Sequence, residues 1–135
     1  MTTFDITPRQ GKAYFTCHVF ENEASMYEWY QCYCDDRGTQ DDKHDFLAIV
    51  LQCERIAGGE RLPFIGSVLL CRGSLGTGVV AHEMLHCALW YDRIINGNRG
   101  AEYGEECGEA EERLALLLTD LCRETVNKLY ELKFL

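Results

Sequence analysis

Apolar and polar positions alternate with a period that changes along the chain. Residues 11–20, "GKAYFTCHVF", are rich in aromatic and β-branched types and predict a strand. In "ENEASMYEWYQCY" the side chains of Met26, Trp29, Tyr30 and Tyr33 recur at three- and four-residue spacings, which predicts an amphipathic helix. The polar stretch "CDDRGTQDDKHD", 34–45, reads as a loop. "FLAIVLQCERI" (46–56) and "IGSVLLCRG" (65–73) are continuous apolar runs of strand length, punctuated by the glycines and proline of "GGERLPF". Together these runs suggest a small sheet buried on at least one face.

Two helices are expected after the sheet. "GSLGTGVVAHEMLHCALWYDRIING" offers Ser74 or Thr77 as an N-terminal cap and Gly97 as a C-terminal stop, with about 18 residues between them. The segment is apolar nearly all round from Val79 to Tyr91, which predicts a helix buried within the domain. A polar loop, "DRIINGNRGAEYGEECGE", leads to "GEAEERLALLLTDLCRETVNKLYELKFL", a strongly amphipathic helix. The fold class expected is α+β: a small mixed or antiparallel sheet packed on a buried helix and a C-terminal helix, in one domain spanning 1–135. At this length the chain accommodates one domain with a real core more easily than two.

The polar residues inside the second helix raise the chemical question. Burying such groups without partners costs on the order of 1–3 kcal/mol each. His82 and His86, four residues apart, project from one helix face one turn apart and can bind one ion. Glu83 stands about 100° round the helix, where it can reach a metal-bound water without being a ligand. The pattern His-Glu-x-x-His is thus a device for zinc and a general base.

A tetrahedral site with a catalytic water needs a third protein ligand. His18 and His44, in a strand and a loop, offer no spacing argument. Glu109, Glu111 and Glu112 open the last helix, where an acidic first turn is also favoured by the helix dipole. The apolar stripe through Leu114, Leu118, Leu121, Cys122 and Leu129, projected back one turn, puts Glu111 near its centre, Glu112 on its edge and Glu109 on the far side.

"VVAHEMLHCALWYDR", followed some 25 residues later by "EERLALLLTDL", resembles the small zincin-type metallopeptidase domains of the gluzincin arrangement, including minimal versions in phage and other mobile-element proteins. The likeness covers residues 63–126 and extends more loosely to "AYFTCHVFENEASMYEW". It implies a minimal zincin-like fold and a third ligand one turn into the second helix, often followed three residues later by a small residue. Glu112 with Ala115 matches that pattern, so the resemblance favours Glu112 over Glu111. It implies zinc held by His82, His86 and Glu112, with Glu83 as general base in peptide or amide hydrolysis. Tyr91 or Tyr103 could stabilise the oxyanion, and Cys87 could contact the site. The 65–72 strand would lie near the cleft edge, where an extended peptide adds as another strand.

Composition narrows the partners. A net charge of −9 argues against a phosphate-backbone binder. It also keeps open a second class of function, a regulatory or inhibitory binding protein that retains the scaffold and acts through its acidic surface. The aspartates of 34–45 fit a calcium-binding loop poorly. Of the eight cysteines, Cys32 and Cys34 form the only close pair, and most of the rest sit in apolar stretches where a thiol packs as a small hydrophobe. No signal segment or membrane span is evident in the pattern, and the expected setting is the reducing cytoplasm, with a protein or peptide substrate as partner.

Overall fold

The computed structural model describes residues 1–9, 11–38, 47–97 and 108–135. Its elements in chain order are β1 (Thr2–Ile6), β2 (Tyr14–Phe20), α1 (Glu23–Asp36), β3 (Ala48–Gln52), β4 (Ile56–Ala57), β5 (Glu60–Arg61), β6 (Phe64–Cys71), α2 (Thr77–Ile95) and α3 (Glu109–Glu131). One 3-10 turn, Arg72–Ser74, joins β6 to α2. The fold is α+β, with a mixed four-stranded sheet in the order β1-β2-β6-β3 and a small β4-β5 hairpin.

Side-chain alternation decides what each sheet face covers. On β2, Phe15, Cys17 and Val19 point into the larger core with Val68 and Leu70 of β6, and this face is covered by α2 and α3. Phe20, Leu69 and Cys71 point the other way, against Met26 and Trp29 of α1. A strand packed on both faces needs apolar residues at successive positions, and "FIGSVLLC" of β6 supplies them. β6 therefore runs inside the sheet, parallel to β2 and antiparallel to β3. The expectation that this strand borders a cleft is corrected: the edge strand on that side is β3.

Close packing across β3 and β6 depends on Gly66. A Cβ there would lie 2.8 Å from the Leu51 carbonyl oxygen and 3.0 Å from the Phe15 ring. Only a residue without a side chain lets the two strands and the ring meet.

The helices follow their sequence signals with small differences. Asn22 caps α1 by accepting from the Ser25 N–H at 2.9 Å. Neither Ser74 nor Thr77 caps α2; the N-cap is Gly76, with no side-chain bond. Gly97 does lie just past the C-cap Asn96, with φ of 71°. On α3 the buried line is Leu117, Leu121, Thr125 and Leu129, a strict four-residue repeat, so the stripe is turned from the one expected and Ala110 extends it into the first turn. Among the described residues, no helix is long and apolar enough to cross a membrane.

Candidate metal centre

α2 carries the site, and its two sides differ. Val80, Met84, Cys87, Ala88 and Tyr91 are buried in the core, while His82, Leu85, His86 and Leu89 are exposed. The expectation of a helix buried all round is thereby corrected. The apolar residues of α2 exceed what its core face needs, and Leu85 and Leu89 lie in the open at 40% and 37% exposure beside the histidines. Burial goes to the glutamate instead: Glu83 is 6% exposed.

The histidines meet. Their Nε2 atoms are 3.2 Å apart, with ring centroids at 4.9 Å and planes inclined by 74°. At that distance the two nitrogens can share one proton along the line between them, or turn toward one cation that lies off that line. Ligand atoms about 2.0–2.1 Å from a tetrahedral ion stand about 3.3–3.4 Å apart. The observed separation fits that spacing closely.

Glu83 occupies the neighbouring sector of the helix. Its burial holds the carboxyl above the usual carboxylate range, and the adjacent His82 and His86 act against that rise. Trp90, two turns further along the same side, donates from Nε1 to the Ile65 carbonyl at 2.8 Å. Since the Cys53 N–H also donates to that carbonyl, α2 is tied to the junction of β3 and β6. Glu83 thus sits on the side of α2 turned to the open-edged strand β3.

The structure does not bring the expected third ligand to this pair. α2 and α3 pack antiparallel, with Thr125 Oγ1 donating to Met84 Sδ at 3.1 Å and Arg113 Nε donating to Asp92 at 2.8 Å. Glu112 precedes Arg113, which places it roughly 10 Å or more along the helix axes from His86 and further from His82. It is exposed and lines a surface cavity with Pro8 and Arg9. Glu111 and Glu109 are exposed in the same first turn, a favourable place for carboxylates beside a helix N-terminus. Among the described residues no group of three His, Cys, Asp or Glu is placed to hold a metal ion.

The remaining expected residues fall elsewhere. Tyr91 is fully buried on the opposite side of α2 from the histidines, its hydroxyl by the Lys12 backbone. Cys87 is also in the core, where burial pushes its thiol well up. His18 packs against Trp29 under α1. Cys34 is buried and Cys32 exposed, so the close pair points apart. His44, Tyr103 and Cys107 lie outside the described residues.

Sequence reasoning missed the clasp between Asp92 and Arg113. Asp92 is fully buried and accepts from Arg113 Nε at 2.8 Å and from Asn96 Nδ2 at 2.6 Å. The one available signal was an aspartate directly after the apolar run of α2. Comparison with protein-family models, curated proteins and solved structures returns no match.

Proposed function

We propose that the chain is a zinc-dependent hydrolase of peptide or amide bonds, with zinc bound at His82 and His86 and completed by a third ligand that is not found among the described residues, and with Glu83 as the general base. The observation that carries this reading is the convergence of the two Nε2 atoms at 3.2 Å on an open helix face, next to a buried glutamate. A structural ion site has no need of such a glutamate. Bound zinc supplies Lewis acidity and an acidified water.

The residues of the chain then have separate tasks. His82 and His86 hold the ion as neutral imidazoles. Glu83 takes a proton from the attacking water and returns it to the leaving amine, a role suited by a carboxyl held above its ordinary range. Its burial keeps it from swinging into solvent between the two transfers. The outer edge of β3 offers main-chain groups to an extended substrate lying beside α2, the mode of strand addition.

The test is metal analysis of protein purified without chelator, alongside a Glu83→Gln variant. About one zinc per chain is expected in both, with hydrolysis of a peptide library by the parent alone. A parent without zinc, or a Glu83→Gln variant as active as the parent, overturns the reading.

A further inference from the structure

On the opposite face of the sheet from the histidine pair, a cavity of about 410 Å³ opens between α1, β2, β3 and the start of β6. Its size falls within the range of about 300–1,000 Å³ typical of small-molecule sites. One wall is Trp29 stacked on Tyr33, with centroids 5.7 Å apart and planes within 14°. The other is Tyr14 against Phe64 at 5.8 Å.

Each wall carries an arginine. The Arg37 guanidinium lies 4.4 Å from the Tyr33 ring centre, and that of Arg55 lies 5.3 Å from the Phe64 ring centre. Both side chains line the cavity and both act on Tyr33, so they converge on one mouth. Among the described residues neither is matched by a carboxylate. Glu54, next to Arg55 in the chain, pairs instead with Arg61. Two such guanidiniums are notable in a chain of net charge −9. Deeper in, the cavity is lined by Ser67, which is 8% exposed, and by His18, whose buried Nδ1 has no hydrogen-bond partner among the described residues.

The geometry points to a second binding site here, for a small planar aromatic anion: a ring that slots between the aromatic walls and carries a phosphate or carboxylate to Arg37 and Arg55. Aromatic walls hold a ring by offset stacking, and guanidinium forks bind phosphate or carboxylate with two parallel hydrogen bonds. The Ser67 hydroxyl supplies a polar contact for the inner edge of the ring. Nucleoside monophosphates and aryl carboxylates share this chemistry.

Calorimetric titration of the full chain with AMP and with indole-3-acetate tests the site and separates the two sources. At least one of them is expected to bind at least tenfold more tightly than inorganic phosphate, and AMP, if it is the one, more tightly than adenosine. AMP alone binding assigns the nucleotide class, indole-3-acetate alone the aryl carboxylates. Arg37→Gln and Arg55→Gln should each weaken binding about tenfold or more, the loss expected when a charge-assisted hydrogen bond is removed. Arg72→Gln, at an exposed pair with Glu21, should leave it unchanged, as should His82→Ala at the other site. Absence of binding by both probes at millimolar concentration, affinity no better than phosphate alone, or full binding by Arg55→Gln would overturn the assignment.

Discussion

Substituting Gly66 by alanine tests whether the β3–β6 register is as tight as it appears. The new Cβ would sit 2.8 Å from the Leu51 carbonyl oxygen and 3.0 and 3.2 Å from two Phe15 ring carbons. Ordinary carbon–oxygen contacts between strands are about 3.3–3.6 Å, so the overlap with the oxygen is about 0.5–0.8 Å. Leu51 is paired with Ser67 in the ladder and Phe15 is fully buried, so neither can move aside alone. Overpacking of this kind costs about 1–3 kcal/mol, offset by about 0.4–1 kcal/mol from the lower entropy of the unfolded alanine chain. A net loss of about 1–2 kcal/mol lowers Tm by roughly 3–10 °C for a domain of this size. Thermal denaturation followed by circular dichroism measures it. Measured within a Phe15→Leu background, the cost of Gly66→Ala should fall only in part, because the backbone oxygen remains. An unchanged or raised Tm for Gly66→Ala would refute the packing argument.

Three further outcomes are expected. In metal-free protein Glu83→Gln should raise Tm, because a carboxyl whose folded pKa lies above its unfolded value costs stability once pH rises past the ordinary carboxylate range. The gain should therefore be present at pH 7 and shrink toward pH 4, and a gain that is constant with pH would count against burial as its cause. On the two sides of α2, Met84→Ala should cost about 2–5 kcal/mol in denaturant unfolding, whereas Leu85→Gln should fall within about 0.5 kcal/mol of the parent; similar costs would mean that the outer side is covered. Glu112→Ala should retain zinc at the parental level while His86→Ala loses it, and loss in both would restore Glu112 as the third ligand.

The fold was legible wherever one physical signal dominated. The continuous apolar run "IGSVLLCRG" foretold a strand of a sheet buried on at least one face, though not its place inside the sheet, and the spacing of Trp29, Tyr30 and Tyr33 foretold α1. β1 and the β4-β5 hairpin carry too few apolar residues to register: "TTFDI" has its alternation in only five positions, and both hairpin strands are exposed. At the site, helical geometry alone was enough to bring His82 and His86 together. Which side of α2 turns to the core was not legible, because Leu85 and Leu89 are as apolar as Met84 and Ala88. The position of Glu112 depends on how far α3 slides along α2, and that is fixed by a clasp between Asp92 and Arg113, twenty-one residues apart in the chain.

The parallel pairing of β2 with β6 has a consequence for the order of folding. Tyr14 aligns with Phe64 and Phe20 with Cys71, so the centre of the sheet closes only by joining segments about fifty residues apart. Such non-local pairings carry the loop-closure cost first and are slow to nucleate. Met84, Cys87 and Tyr91 of α2 pack between that sheet and α3, so only their α3 side can form before the closure. The two histidines lie one turn apart and meet by local helix geometry, whereas the sheet face on which their helix rests is assembled from segments far apart in the chain.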